Sequence, residues 1–252
     1  MKYFLTLALI TLTGFSVFSQ DPASLMAEGK KLEQQLKDAE AIEKYKKAAF
    51  IQPSNQQAIL KCAELSVAIG NRQAELDKKV QYFKDAYQFA NAAYKLDSSK
   101  AQANYMMAVV YGKFTEVEKK NDALVNYTRL IKNYADKTVK LDPQFARGWH
   151  VLGKWHLEMV SLSSIKKAAL KVIYSGTGSE ATINEAIAHM EKCKTLEPYY
   201  CLNFYDLARA YQFNKQYEKA IQLLEQLKKL PTRKQEDAEV KALGATLLQQ
   251  LQ

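Results

Sequence analysis

The side chains best suited to metal or nucleophilic chemistry in this 252-residue chain are three histidines, His150, His156 and His189, and three cysteines, Cys62, Cys193 and Cys201. A helical zinc site needs two histidines one turn apart, so that both imidazoles leave the same face. His150 and His156 are six residues apart and fall on different faces, and His156 sits where a packed core residue is expected. Cys62 and Cys193 occupy small, apolar positions that suit buried thiols. Ser175-Gly176-Thr177-Gly178-Ser179 has the glycines of a phosphate-cradling loop. It lacks the preceding strand and the Gly-Lys-Ser/Thr that such a loop needs. No Ser or Cys lies in a strand-to-helix elbow with a base that can be placed beside it. The reading is a non-enzymatic chain without metal or cofactor.

Composition narrows the class further. Forty-eight per cent apolar and 25% charged residues describe a globular chain, and only nine Gly and five Pro argue against a many-turned β-sandwich or barrel. The formal charge of +9 is spread over pairs such as Lys30-Lys31, Lys46-Lys47, Lys119-Lys120, Lys166-Lys167 and Lys228-Lys229. Scattered lysines read as solvated faces, so no nucleic-acid partner is expected. Residues 1–19 combine Lys2, an uncharged run from Tyr3 to Phe18, and the small residues Val17 and Ser19, as an export signal cleaved before Gln20 does. The mature chain, 20–252, is therefore expected to be exported, and periplasmic in a Gram-negative source. A membrane enters only if that segment stays uncleaved.

Self-similarity organises the rest. A repeat beginning at Pro22 places Leu25, Gly29, Leu32, Ala41, Tyr45, Ala48 and Pro53 at fixed positions, and the pattern recurs four more times. Its eighth position is always small: Gly29, Ala63, Ala108, Gly153, Ala208. Its twentieth is Ala41, Ala86, Ala186 and Ala220, with Ile131 the exception. Small residues at two such sites let paired helices cross closely. This 34-residue pattern resembles the tetratricopeptide repeat. It predicts an all-α, right-handed α-solenoid of about five helix hairpins, at about 22–55, 56–99, 101–144, 146–199 and 201–234, with a capping helix at 235–251. Insertions fall only inside hairpins. Two have 11 residues, about three helical turns, and predict helix extension over Ala68–Asp77 and Thr115–Leu124. The third, in the fourth hairpin, predicts an extra amphipathic helix over Ser161–Tyr174, followed by a capping box from Thr182 and Glu185. In the capping helix, Ala238, Ala242, Leu243 and Leu247 form the apolar stripe.

Leu152-Gly153-Lys154-Trp155, Val160-Ser161-Leu162-Ser163, Leu196-Glu197-Pro198, Leu207-Ala208-Arg209-Ala210-Tyr211 and Leu230-Pro231-Thr232 resemble the regulator of microtubule dynamics family over roughly Leu141–Leu251. That resemblance implies a tetratricopeptide adaptor, membrane-tethered in some members and implicated in microtubule association and organelle contacts. The family offers no catalytic residues to carry over.

Stacked hairpins generate a concave surface lined by the first helix of each. Repeat positions 2, 5, 9 and 12 should face it, which selects Gln102 and Tyr105, then Arg147, His150 and Lys154, then Leu202, Tyr205, Arg209 and Gln212. Tyr105, Arg147, His150, Lys154, Tyr205 and Arg209 are the candidate peptide-binding residues. Their rings and positive charges suit a protein or peptide with acidic residues or a free C-terminus. The asparagines of the chaperone-type carboxylate clamp are replaced here. Cys193 and Cys201 straddle one inter-helix turn, and an oxidising compartment would permit a disulfide between them.

Overall fold

Local signals start and stop the helices. Asn55 Oδ1 accepts from the Ala58 amide at 3.0 Å, and Thr182 Oγ1 accepts from the Glu185 amide at 3.1 Å. Thr182 also donates to the Glu185 carboxylate at 3.1 Å, so the expected capping pair forms. The computed structural model describes residues 21–162 and 181–252. Among these the chain forms eleven α-helices and no strand. Five antiparallel pairs follow one another: α1 (Pro22–Gln34) with α2 (Asp38–Ile51), α3 (Gln56–Asn71) with α4 (Leu76–Leu96), α5 (Ala101–Val117) with α6 (Asn121–Leu141), α7 (Ala146–Ser161) with α8 (Ile183–Leu196), and α9 (Cys201–Phe213) with α10 (Tyr217–Lys229). Helix α11 (Asp237–Leu251) closes the array. Ser161 ends α7. The rest of the helix expected to 174, the Ser175–Ser179 loop and the export segment 1–19 lie outside the described residues.

The two 11-residue insertions are taken up largely as helix. Helices α4 and α6 each have 21 residues, against 13 or 14 in α2, α8 and α10. Whole turns added to both arms keep the buried face in phase. The passages from one hairpin to the next are uniform: residues 52–55, 97–100, 142–145 and 197–200 each separate helices that stop and restart in the same way. At each, the amide closing the helix donates to a small or short residue four back: Ala48, Ala93, Thr138 or Cys193. Inside the unextended hairpins, Leu36 and Lys215 take φ of 59° and 58°. There Lys37 and Gln216 donate to the carbonyls of Leu32 and Tyr211, the six-to-one bond that ends a helix through a left-handed residue. The last passage differs: residues 230–236 separate α10 from α11.

The core is a row of linked clusters. Tyr45, Ile42, Cys62 and Leu65 fill the first interface, Ile59, Met107 and Val110 the second, and Phe204, Leu207, Leu224 and Leu248 the last. Small residues are where helices touch. A Cβ on Gly29 would lie 2.7 Å from the Tyr45 ring, and one on Gly153 2.9 Å from the Ala186 carbonyl oxygen. The apolar stripe of α11 is rotated from the expected one. Val240, Gly244, Leu247 and Leu248 are buried, whereas Ala238, Ala242 and Leu243 are exposed. The reason is Gly244, whose bare backbone lets Leu227 pack against it.

Candidate functional site

The first helices α3, α5, α7 and α9 contact one another in sequence along the side expected to be concave, and charged side chains there are joined into networks. Glu64 on α3 accepts from three cations: Lys61 at 3.1 Å, Arg147 of α7 at 3.1 Å, and Lys234 of the 230–236 segment at 2.8 Å. Burial alone would raise its pKa. Lys234, Lys61 and Arg147 outweigh that and hold it well below the usual carboxylate range. Lys61 continues to Glu33 on α1 at 3.0 Å, and Glu33 accepts from the Tyr45 hydroxyl. Arg147 also binds Glu197 at 2.9 Å and stacks over Tyr200, its guanidinium 5.0 Å from the ring centroid. One chain of charges therefore ties hairpins one, two and four together.

A second centre surrounds Asp206 of α9, which is only 1% exposed. His150 lies 2.9 Å from one carboxylate oxygen and Lys154 3.6 Å from the same oxygen, while Arg209 donates to the other at 3.0 Å. Arg209 also reaches Glu158 at 3.2 Å and lies over the Tyr205 ring. Burial again works against ionisation of Asp206, and Lys154, His150 and Arg209 override it. His156 is buried among rings, 5.0 Å from Trp155 and 5.4 Å from His189, and burial lowers its pKa to about 4. At neutral pH it is an uncharged packing residue.

The six predicted residues therefore meet different fates. Tyr105 is half-buried against Phe145, ring centroids 5.1 Å apart, and burial pushes its hydroxyl up to about 12. His150 is buried, 3% exposed. Arg147, Lys154 and Arg209 are not free charges: each is held on a carboxylate of this chain. Reversing any of them to Glu would set a carboxylate beside Glu64 and Glu197, or beside Asp206, and would act first on folding. Cys62, Cys193 and Cys201 are buried free thiols, so Cys193 and Cys201 are not bridged. Burial pushes the thiols of Cys193 and Cys201 up to about 12 and about 11.

Two sets of residues escaped sequence reasoning. The inward-facing positions of the first two repeats include Met26, Lys30, Glu33, Gln57 and Glu64, and these line a cavity of about 490 Å³. The same positional rule, applied to those repeats, would have found them. Asp206 stands at repeat position 6, which the rule leaves out of the inner face, and Lys234 comes from a turn with no repeat signature. Among the described residues no His/Cys/Asp/Glu cluster could hold a metal ion, and no helix is long and apolar enough to cross a membrane.

Hairpins stacked through small residues, with a polar concave face, define a tetratricopeptide-type α-solenoid. Solved structures agree on that fold. A thermophilic tetratricopeptide protein of Thermus thermophilus superposes with a TM-score of 0.62 over 90% of this chain and 99% of its own, at 11% identity. The pilF protein of Pseudomonas aeruginosa gives 0.52 over 91% of each, at 16% identity. The model of the family "Regulator of microtubule dynamics protein 1-3" matches residues 25–252, and the chain belongs to that family. Regulator of microtubule dynamics protein 1 from Bos taurus is 23% identical over 69% of this chain, and the Mus musculus protein 24% over 74%. The chain spans 55% and 60% of those two relatives.

Proposed function

We propose that the protein is a non-catalytic scaffold that receives a protein or peptide segment on its concave face. The observation that carries this reading is the pre-arranged lining of that face. Lys154, Arg209, Glu158 and the Tyr205 ring are already held by contacts among α7 and α9, so little side-chain entropy is lost when a partner binds. The Lys154 side chain is 40% exposed and that of Arg209 31%. Each can turn one face to an acidic segment while the other stays on Asp206. Tyr205 supplies the apolar anchor. Removal of residues 1–19 on export, into the periplasm of a Gram-negative source, is part of the proposal. The uncharged run Tyr3–Phe18 equally suits a second reading, in which the segment is retained and tethers the adaptor to a membrane.

The test is a cross-linked capture of partners from the native envelope with the tagged chain, its Lys154→Ala/Tyr205→Ala variant, and mapping of the N-terminus. A partner lost in the variant, with a mature start at Gln20, supports the exported scaffold. Equal capture by the folded variant refutes the groove. An intact residue 1 with membrane proteins enriched selects the tethered adaptor.

A further inference from the structure

The 490 Å³ cavity shares no lining residue with the Lys154–Tyr205 groove. Two walls come from the first two hairpins, the third from the turn 230–236. That turn crosses to the beginning of the chain: Lys234 binds Glu64, the Gln235 side chain donates to the Leu36 carbonyl, and Glu236 lies 3.7 Å from Arg72. The cavity exists because the two ends of the solenoid meet.

The lining holds four carboxylates and four lysine or arginine side chains, but they are unevenly paired. Every carboxylate there has an internal cation. Glu33 is held by Lys61, Asp38 by Arg72 at 2.8 Å, Glu64 by its three partners, and Glu236 lies within 4.0 Å of both Arg72 and Lys234. Two lining cations, Lys30 and Arg233, are exposed and have no carboxylate within ion-pair distance among the described residues. Arg233 is held in place by stacking on Tyr199, 4.2 Å from the ring centroid. Beside them the lining turns apolar at Met26, Ala27, Leu65 and Ala68. Unpaired positive charge next to apolar side chains, in a cavity of ligand size, is complemented by an amphipathic anion.

We propose that this cavity binds an amphipathic carboxylate, its charge between Lys30 and Arg233 and its aliphatic part against Met26, Leu65 and Ala68. The free C-terminus of a peptide ending in an aliphatic residue and a short fatty acid share that chemistry. Since a neutral amide cannot replace a carboxylate opposite two cations, recognition depends on the acid itself. The site rests on different residues from the Lys154–Tyr205 groove, so either can fail while the other stands.

Titration calorimetry on the full chain with three probes tests it: N-acetyl-Gly-Gly-Leu with a free carboxylate, the same peptide as C-terminal amide, and octanoate. Binding of the peptide acid identifies a chain terminus as the ligand, and binding of octanoate alone identifies a small carboxylate. The amide should bind at least about fivefold more weakly than the acid. Lys30→Ala and Arg233→Ala should each weaken the acid by about fivefold, the factor expected for one partly exposed charge pair. Both residues are exposed, so both variants should fold; Lys30→Arg should restore binding. No heat from either acid, equal binding of acid and amide, or unchanged affinity in both alanine variants would overturn the proposal.

Discussion

Replacing Asp206 by Asn tests how the concave face is held. The substitution keeps shape and volume but removes a charge that is 1% exposed and is shared by His150, Lys154 and Arg209 at 2.9, 3.6 and 3.0 Å. Removing one member of a fully buried ion pair costs roughly 3–5 kcal/mol, because the partner's charge is stranded. Here the stranded Lys154 and Arg209 side chains are 40% and 31% exposed and can swing to water. The expected loss is therefore about 2–3 kcal/mol. For a chain of this size that lowers Tm by about 5–10 °C. The pH dependence follows from the direction of the shift. Asp206 is more acidic folded than unfolded, so its contribution is complete above the unfolded value of about 3.9 and fades as pH falls below it. Urea titrations followed by far-UV circular dichroism at pH 7 and at successive steps below pH 4 measure both effects. The gap between wild type and Asp206→Asn should be full at pH 7 and narrow with acid. A variant within about 0.5 kcal/mol of wild type at pH 7, or a gap that widens with acid, would refute the account.

Three further predictions concern the backbone. Gly153→Ala should destabilise by about 2 kcal/mol, since the new methyl meets Met190 Cγ at 2.6 Å and the Ala186 carbonyl at 2.9 Å. Gly112→Ala, with nothing within 4 Å of its Cβ, should stabilise by up to about 1 kcal/mol through helix propensity; thermal melts of the pair separate crowding from propensity. Lys215→Gly should raise stability by up to about 1 kcal/mol, because Lys215 holds φ of 58°, whereas a lower midpoint in urea would show that the side chain contributes more than its backbone strain costs.

The solenoid was legible because repeat architectures are specified by local rules. Gly29 beside Tyr45 and Gly153 beside Ala186 are contacts between sequence-adjacent helices, and the small residue at each crossing is written into the chain. The length of the insertions likewise preserved helical phase, which is a property of one segment. Positions facing the concave side followed from the same periodicity. The stripe of α11 did not, because Gly244 is buried by close approach of Leu227 and no pattern of apolar residues records that.

By itself, then, the sequence determined the fold, the order of the hairpins and which residues share a face of each helix. Only the tertiary structure decided what those side chains do there. Arg147 finds Glu64 83 residues away, and Lys234 finds the same carboxylate across 170 residues. Periodicity sets the direction in which a side chain leaves its own helix. The curvature that brings the two ends of the array together is summed over every interface, and so decides which charges meet, which are neutralised, and which are left to bind something else.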